Sequence, residues 1–199
     1  MEMKMKIDGV VLAAGFSRRA GVFKMELPLG EKKLIERTID SMMEFCSRVI
    51  VVAGYKSEKI FRLKKMYAGV DVVLNPHYAR GMFTSVQEGI KHVKSEWFFF
   101  TPGDYPLVSG AVYQRLLEAP RRFPAARIFI PVFKNRKGHP ILVKSVLVKE
   151  LLTEPGDSNL RNFIRRQGFV PVEVDDDAIL LDIDTGEDYQ RAKARWESG

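Results

Sequence analysis

Cysteine occurs once in the 199-residue chain, at Cys46. That excludes an internal disulfide and any metal centre built from several thiolates. Histidine is scarce as well, at positions 77, 92 and 139 only, and none stands out as a general base. No apolar run approaches the roughly 20 residues that a membrane span needs. The opening MEMKMKIDGVVLAAG does not read as a signal peptide, because its apolar part alternates into a strand and then meets charge. Repeats, linkers and low-complexity segments are missing too, so one domain over residues 1–199 is expected. The net charge of +7 is spread along the chain among acidic residues, without a basic tract or an RNA- or DNA-binding signature. A solvated basic surface suited to small anionic substrates follows. Neither nucleic acid nor membrane is expected as a partner, and the expected location is cytoplasmic.

Apolar, β-rich runs recur: IDGVVLA (7–13), RVIVVAG (48–54), VDVVLN (70–75), EWFFFTPGD (96–104), ARIFIPVF (126–133), HPILV (139–143), VPVEV (170–174) and AILLDID (178–184). Several are nearly continuous in Val, Ile and Phe, as in strands covered on both faces of a mostly parallel sheet. Between them lie helical patterns. In KKLIERTIDSMMEFC the apolar Leu34, Ile35, Ile39, Met42, Met43 and Cys46 keep three-to-four spacing. SEKIFRLKKMY, TSVQEGIKHV, GAVYQRLLEA, SNLRNFIRRQG and TGEDYQRAKARWE read similarly. The last opens on Thr185 with Asp188 three residues on, an acidic variant of a capping box. Alternating strand and helix predict an α/β class. ARIFIPVF and GHPILV have no helix between them, which predicts a local antiparallel excursion.

Ligands of open α/β sheets collect beyond the carboxyl ends of strands. The first strand delivers AAGFSRRAGVFK (13–24) there. Ala13, Ala14, Gly15 and Gly21 leave room for backbone N–H groups to approach phosphate oxygens, and Arg18, Arg19 and Lys24 add positive charge. A structural turn remains the alternative for this loop alone. Neither G-x-x-x-x-G-K-[ST] nor a helix-opening G-x-G-x-x-G is present, which argues against a P-loop NTPase or a dinucleotide-binding dehydrogenase.

A second constellation follows FFFTPGDYP, where Asp104 ends an apolar strand between Pro102 and Pro106. LLDIDTGEDY contributes Asp182 and Asp184 after another apolar run. Mg²⁺ prefers one or two carboxylates plus substrate phosphates, and Asp104 with Asp184 beside a cationic loop suits it. Asp182 reads as a turn or cap residue.

These residues resemble the MobA-like nucleotidyltransferases, in their molybdenum cofactor cytidylyltransferase (MocA-like) branch. LAAGFSRRAGVFK is similar to LAAGxSxRMGxxK, NPHYARGMFTSVQEG to NPxxxxGMxxSxxxG, and TPGDYPLV to a GDxPLV element. GHPILV and DIDTGEDY are similar to GHP and DIDTPEDY. The set runs in order from Leu12 to Tyr189. It implies a Rossmann-like nucleotidyltransferase fold and transfer of a nucleoside monophosphate, CMP from CTP, to the phosphate of a pterin-type acceptor such as the molybdenum cofactor, with pyrophosphate released. A molybdoenzyme would be the partner receiving the product.

By that resemblance Leu12, Ala13, Ala14, Gly15 and Asn75 would line the nucleotide. Arg19 and Lys24 would hold its phosphates and act with Asp104 in catalysis. Asp104 and Asp184 would bind Mg²⁺, and Gly81, Met82, Ser85 and His139 would meet the acceptor. Two positions depart from the pattern: Ala20 replaces the motif methionine and Gly186 replaces the proline. LAAG instead of the guanylyl branch's LAGG adds a methyl at Ala14 where the base should sit, which favours a pyrimidine. GTP and ATP stay open as donors, and a related guanylyl- or other nucleotidyltransferase acting on a different phosphorylated acceptor, or a molybdenum cofactor carrier without transferase activity, are the competing readings. Loop packing competes with a substrate-side role for His139, and a substrate contact for His77 stays open. His92 reads as ordinary surface and Met82 as core or pocket wall.

Overall fold

A computed structural model describes residues 6–16, 22–155 and 158–198. Of the site residues named above, Arg19, like Arg18, Ala20 and Gly21, lies outside the described residues.

The central sheet is built on β1 (Ile7–Ala13), β4 (Arg48–Ala53), β5 (Val70–Leu74) and β6 (Trp97–Pro102). β1 pairs in parallel with both β4 and β6, and β4 with β5. Every residue of β1 is buried, as its apolar composition requires of a strand covered on both faces. Beyond β6 lie β7 (Ile128–Phe133), β9 (Ile141–Lys144) and β10 (Val170–Glu173). β9 sits between β6 and β7, antiparallel to both, and the short β8 (Arg136–Lys137) pairs antiparallel with β7. The spatial order is β10-β7-β9-β6-β1-β4-β5. The sheet is therefore mostly parallel with one antiparallel excursion, at the place where the sequence carries no intervening helix.

Helices cover both faces. Met42 of α1 (Leu34–Met43) lies so close to β1 that a Cβ at Gly9 would stand 2.2 Å from its sulfur. On the other face, Gly89 of α4 (Met82–Ile90) similarly admits Val10 and Val52. Around these lie α2 (Ser57–Phe61), α3 (Leu63–Met66), α5 (Gly110–Arg122), α6 (Val148–Thr153), α7 (Leu160–Gln167) and α8 (Gly186–Ser198). Two apolar clusters fill the two faces: Val11, Ala13, Phe99 and Tyr113 belong to one, Val10, Leu12, Phe98 and Phe163 to the other. A smaller cluster joins Leu29 and Leu34 to Ile183 and Ala192, beside the two-stranded ribbon β2 (Pro28–Leu29) and β3 (Lys32–Lys33).

One expected strand is absent. Residues 178–184 form the end of a 3₁₀ turn, Asp177–Leu180, and then an irregular segment. Their backbone groups bond to loops instead of a ladder: Ile179 O accepts from His139 N at 3.0 Å and Ile183 N donates to Asp104 O at 3.1 Å. The apolar residues that suggested a strand are anchors, with Ile179 and Ile183 buried in separate clusters.

Candidate active site

The order in which strands are added reverses about β1: β4 and β5 are added on one side, β6 on the other. The carboxyl ends of β1 and β6 flank the crevice that such a switch creates. Leu12 O accepts from Gly103 N at 2.8 Å, joining the end of β1 to the loop that follows β6. Gly103 is required by space: a Cβ there would lie 2.7 Å from Ile35 Cδ1 and 3.1 Å from Leu12 O. Thr38 Oγ1 donates to Gly103 O at 3.0 Å. Asp104 is thus presented by a loop clamped on both sides.

Lys24 arrives on a single 3₁₀ turn, Lys24–Glu26, flanked by Phe23 and Met25, both buried in the core. Those anchors turn the lysine toward the crevice. Asp184 comes from the far end of the chain, held by the buried Ile183 before it and the start of α8 after it. There the capping box predicted from Thr185 and Asp188 forms. Asp188 accepts from Thr185 Oγ1 at 2.7 Å, from Thr185 N at 2.8 Å and from Asp184 N at 3.2 Å. The Thr185 hydroxyl first, then its amide and Arg191, outweigh desolvation and draw the Asp188 pKa down to about 2.

Lys24 Nζ donates to both Asp104 and Asp184, the latter at 2.8 Å. The lysine and Asp104 side chains are only 12% and 10% exposed. Burial works against the ammonium, but attraction to Asp104 and hydrogen bonds to both carboxylates hold its pKa above the ordinary lysine value. The other oxygen, Asp104 Oδ1, is buried with no hydrogen-bond partner among the described residues. An orphaned, buried carboxylate oxygen is costly, and a divalent cation with substrate oxygens in its shell would satisfy it. Among the described residues, no group of three or more His, Cys, Asp or Glu is arranged to hold a metal without such oxygens.

The crevice has two connected lobes that share Gly15, Phe16, Lys24, Met82, Pro102 and Asp104. One, about 380 Å³, runs over Leu12, Ala14, Tyr78, Gly81 and Ser85, so Gly81 and Ser85, expected at the acceptor, line the same lobe as the Leu12 and Ala14 expected at the nucleotide. The other, about 440 Å³, runs over Tyr105, His139, Asp182 and Asp184. Met82, 66% exposed at the start of α4, stands at their junction; it is a pocket wall and not core.

His139 packs its ring 5.0 Å from that of Tyr105. Burial pushes its pKa down to about 4, only partly offset by a hydrogen bond to the Phe100 backbone and by the charge of Asp104. The imidazole is therefore neutral near pH 7, and Nδ1 is buried with no partner among the described residues. Its position depends on Gly138, where a Cβ would sit 2.2 Å from Ile179 O. Desolvation and the charges of Asp182, Asp104 and Asp184 keep the Tyr105 phenol protonated well above its ordinary range.

Other expected site residues stand elsewhere. Ala13 alternates to the opposite face and packs in the core cluster with Phe23 and Ile35. Asn75 is buried, donating to Thr84 Oγ1 and Ser85 Oγ, each at 2.9 Å, and accepting from His77 N at 2.9 Å. Its amide braces the loop that leads into α4, and its groove, shared with the exposed His77, is separate from both lobes. His92 lies on the surface, 3.7 Å from Glu88. Asp182 corrects its expected role: Thr185 and Asp188 cap the helix, while Asp182 sits on the crevice rim. The residue is exposed, yet partial desolvation of its carboxylate and the nearby charges of Asp184 and Asp104 raise its pKa. Phe16, Tyr78 and Tyr105 were not singled out from the sequence; Phe16 rests 5.4 Å from Tyr55 and 5.2 Å from Tyr78 as an aromatic bracket on the crevice.

The model of the MobA-like NTP transferase domain matches residues 9–172. The chain is 32% identical to the molybdenum cofactor cytidylyltransferase of Escherichia coli K12, across 96% of this chain and 97% of that protein. It is 27% identical to a probable molybdenum cofactor guanylyltransferase of Aquifex aeolicus, across 92% and 89%. Among solved structures it is similar to a manganese complex of Rv0371c from Mycobacterium tuberculosis H37Rv, with a TM-score of 0.77, 25% identity and coverage of 96% and 100%.

Proposed function

Because the chain belongs to the MobA-like NTP transferase family, we propose that it transfers CMP from CTP to the terminal phosphate of molybdopterin or the molybdenum cofactor, releasing pyrophosphate. The observation that carries this reading is the convergence of Lys24, Asp104 and Asp184 at the junction of two lobes. A two-substrate transfer needs such a junction, with one reactant in each lobe and the reacting phosphates between them.

The nucleoside fits the lobe over Leu12, Ala14 and Gly15, and the acceptor fits the one over Tyr105 and His139. An acceptor phosphate is ionised near neutral pH, so its oxygen attacks the α-phosphorus in line without a general base. The bond to the β-phosphate breaks and its electrons leave with pyrophosphate. Lys24 offsets the charge that gathers on that leaving group. Tyr105 and His139, both uncharged near pH 7, offer an aromatic wall that leaves the acceptor's anionic end free to turn toward the junction. Asp104 and Asp184 would hold a divalent cation, Mg²⁺ or Mn²⁺, whose charge supplies neutralisation between the two phosphate groups.

Base choice rests on Ala14, which lines the wall of the nucleoside lobe with its methyl against Gly54. A pyrimidine leaves room for it. The deciding experiment is pyrophosphate release by the purified chain with CTP, GTP, ATP and UTP against molybdopterin and molybdenum cofactor. CTP-dependent release is expected. Release with another nucleotide alone would reassign the base. Tight cofactor binding with no release from any nucleotide would make the protein a carrier.

A further inference from the structure

Lys24 occupies the place where a metal would be expected. Its ammonium bridges Asp104 and Asp184, which project from loops in the middle and near the end of the sequence. A divalent cation received by these carboxylates would repel the lysine from its present position, because an ammonium and a metal ion drawn to the same pair stand close together. If Lys24 is to reach phosphates, it must also leave them. Asp104 Oδ1, without a partner among the described residues and in a residue only 7% exposed, shows that among them the ammonium satisfies the pair incompletely.

We propose that Lys24 is a displaceable internal counter-ion. It holds the two carboxylates together in the free protein and is exchanged onto the phosphates when a metal–nucleoside triphosphate complex enters. Three charges then rearrange as one event. The cation takes the carboxylates, including the orphaned oxygen, and the freed ammonium pairs with the polyphosphate that came with it. Metal alone draws both carboxylates away from Lys24 and brings no anion to replace them. Nucleotide alone finds Lys24 already engaged. Only the two together leave every charge paired, which makes their binding cooperative. This assignment draws on the nucleotidyl-transfer reading only for the identity of the ligand arriving with the metal.

Mn²⁺ alone is the first probe, titrated into the full chain and followed by electron paramagnetic resonance without nucleotide. Wild type should bind weakly, and Lys24→Met should bind at least about tenfold more tightly. The same variant should bind nucleoside triphosphate about tenfold more weakly, so one substitution moves the two affinities in opposite directions. Lys24→Gln, with circular dichroism as the folding check, repeats the measurement should the methionine variant misfold. Adding Asp104→Asn to either variant should remove the gained Mn²⁺ affinity. A crystal structure with Mn²⁺ and a non-hydrolysable triphosphate should place Lys24 Nζ beyond about 4 Å from both carboxylates. Unchanged Mn²⁺ affinity in a folded Lys24 variant would overturn the exchange, and so would a ternary complex with Lys24 still bridging the pair. Failure to release pyrophosphate from any nucleotide would instead remove the transferase reading and leave the Mn²⁺ result standing.

Discussion

At the scale of single residues, position in a motif and direction of a side chain are separate facts. In LAAG the period-two alternation of a strand sends Leu12 and Ala14 to the crevice and Ala13 to the opposite core. That parity was readable in the sequence, although the motif treats all four residues alike. Asn75 shows the reverse: nothing local says that its amide will be consumed by Thr84, Ser85 and His77. Asp104 and Asp184 were legible as candidates because an acidic residue straight after an apolar run lands at the end of a strand or loop, beside the crevice. Asp182 was misread because its rim position depends on Ile183 pointing inward between two carboxylates that point out. Asp104→Asn tests the pair directly. Lys24 keeps Asp184 as partner, so the thermal midpoint should stay close to wild type. The rate of pyrophosphate release should fall about 100- to 1,000-fold; near-normal metal-dependent turnover would remove Asp104 from the site. Ala14→Gly removes one methyl from the wall of the lobe proposed for the nucleoside, and such changes are worth about 1–3 kcal/mol. The CTP-to-GTP ratio of kcat/KM should narrow by about tenfold, and an unchanged ratio would show that base choice is made elsewhere.

At the scale of elements, local signals fared best where the backbone satisfies itself. The α8 start was readable because the Thr185–Asp188 exchange needs only four consecutive residues. The strand expected at residues 178–184 failed because apolar residues report burial, not hydrogen bonding, and here the partners are the loops carrying His139 and Asp104. The short α6 was not anticipated; six residues give too few turns for a periodic pattern to emerge. The cap has a functional consequence, since Asp188 also accepts from the backbone of Asp184. Asp188→Ala should cost about 1 kcal/mol of stability and, by loosening Asp184, lower kcat about tenfold. Asp188→Asn keeps an accepting oxygen and should restore most of the rate. If denaturant melts register the lost stability while kcat holds, the cap serves the helix and not the site.

At the scale of the whole molecule, alternating strands and helices made the parallel α/β sheet legible, and the missing helix before GHPILV located its one reversal. What local pattern could not supply is the tie across the sheet's other end. Asp8, 2% exposed at the start of β1, accepts from Lys94 N at 2.6 Å, Ser95 N at 3.1 Å and the Arg48 guanidinium at 3.0 Å. Arg48 in turn donates to His92 O and lies 3.6 Å from Asp71. One buried carboxylate therefore joins β1, β4, β5 and the approach to β6, far from the crevice. Burial alone would raise its pKa, but Arg48 and the two amides more than compensate, and the net shift is downward. The folded state thus binds the Asp8 proton less readily than the unfolded chain, whose carboxyl titrates near 4. Its stabilisation is complete above that value and is lost as pH falls through the lower, folded one. Asp8→Asn, which mimics the protonated group, should be about 2 kcal/mol less stable than wild type at pH 7. Urea unfolding of both proteins at successively lower pH should show that gap closing below about pH 4. A gap that stays constant with pH would mean that Asp8 contributes shape and hydrogen bonds but not charge.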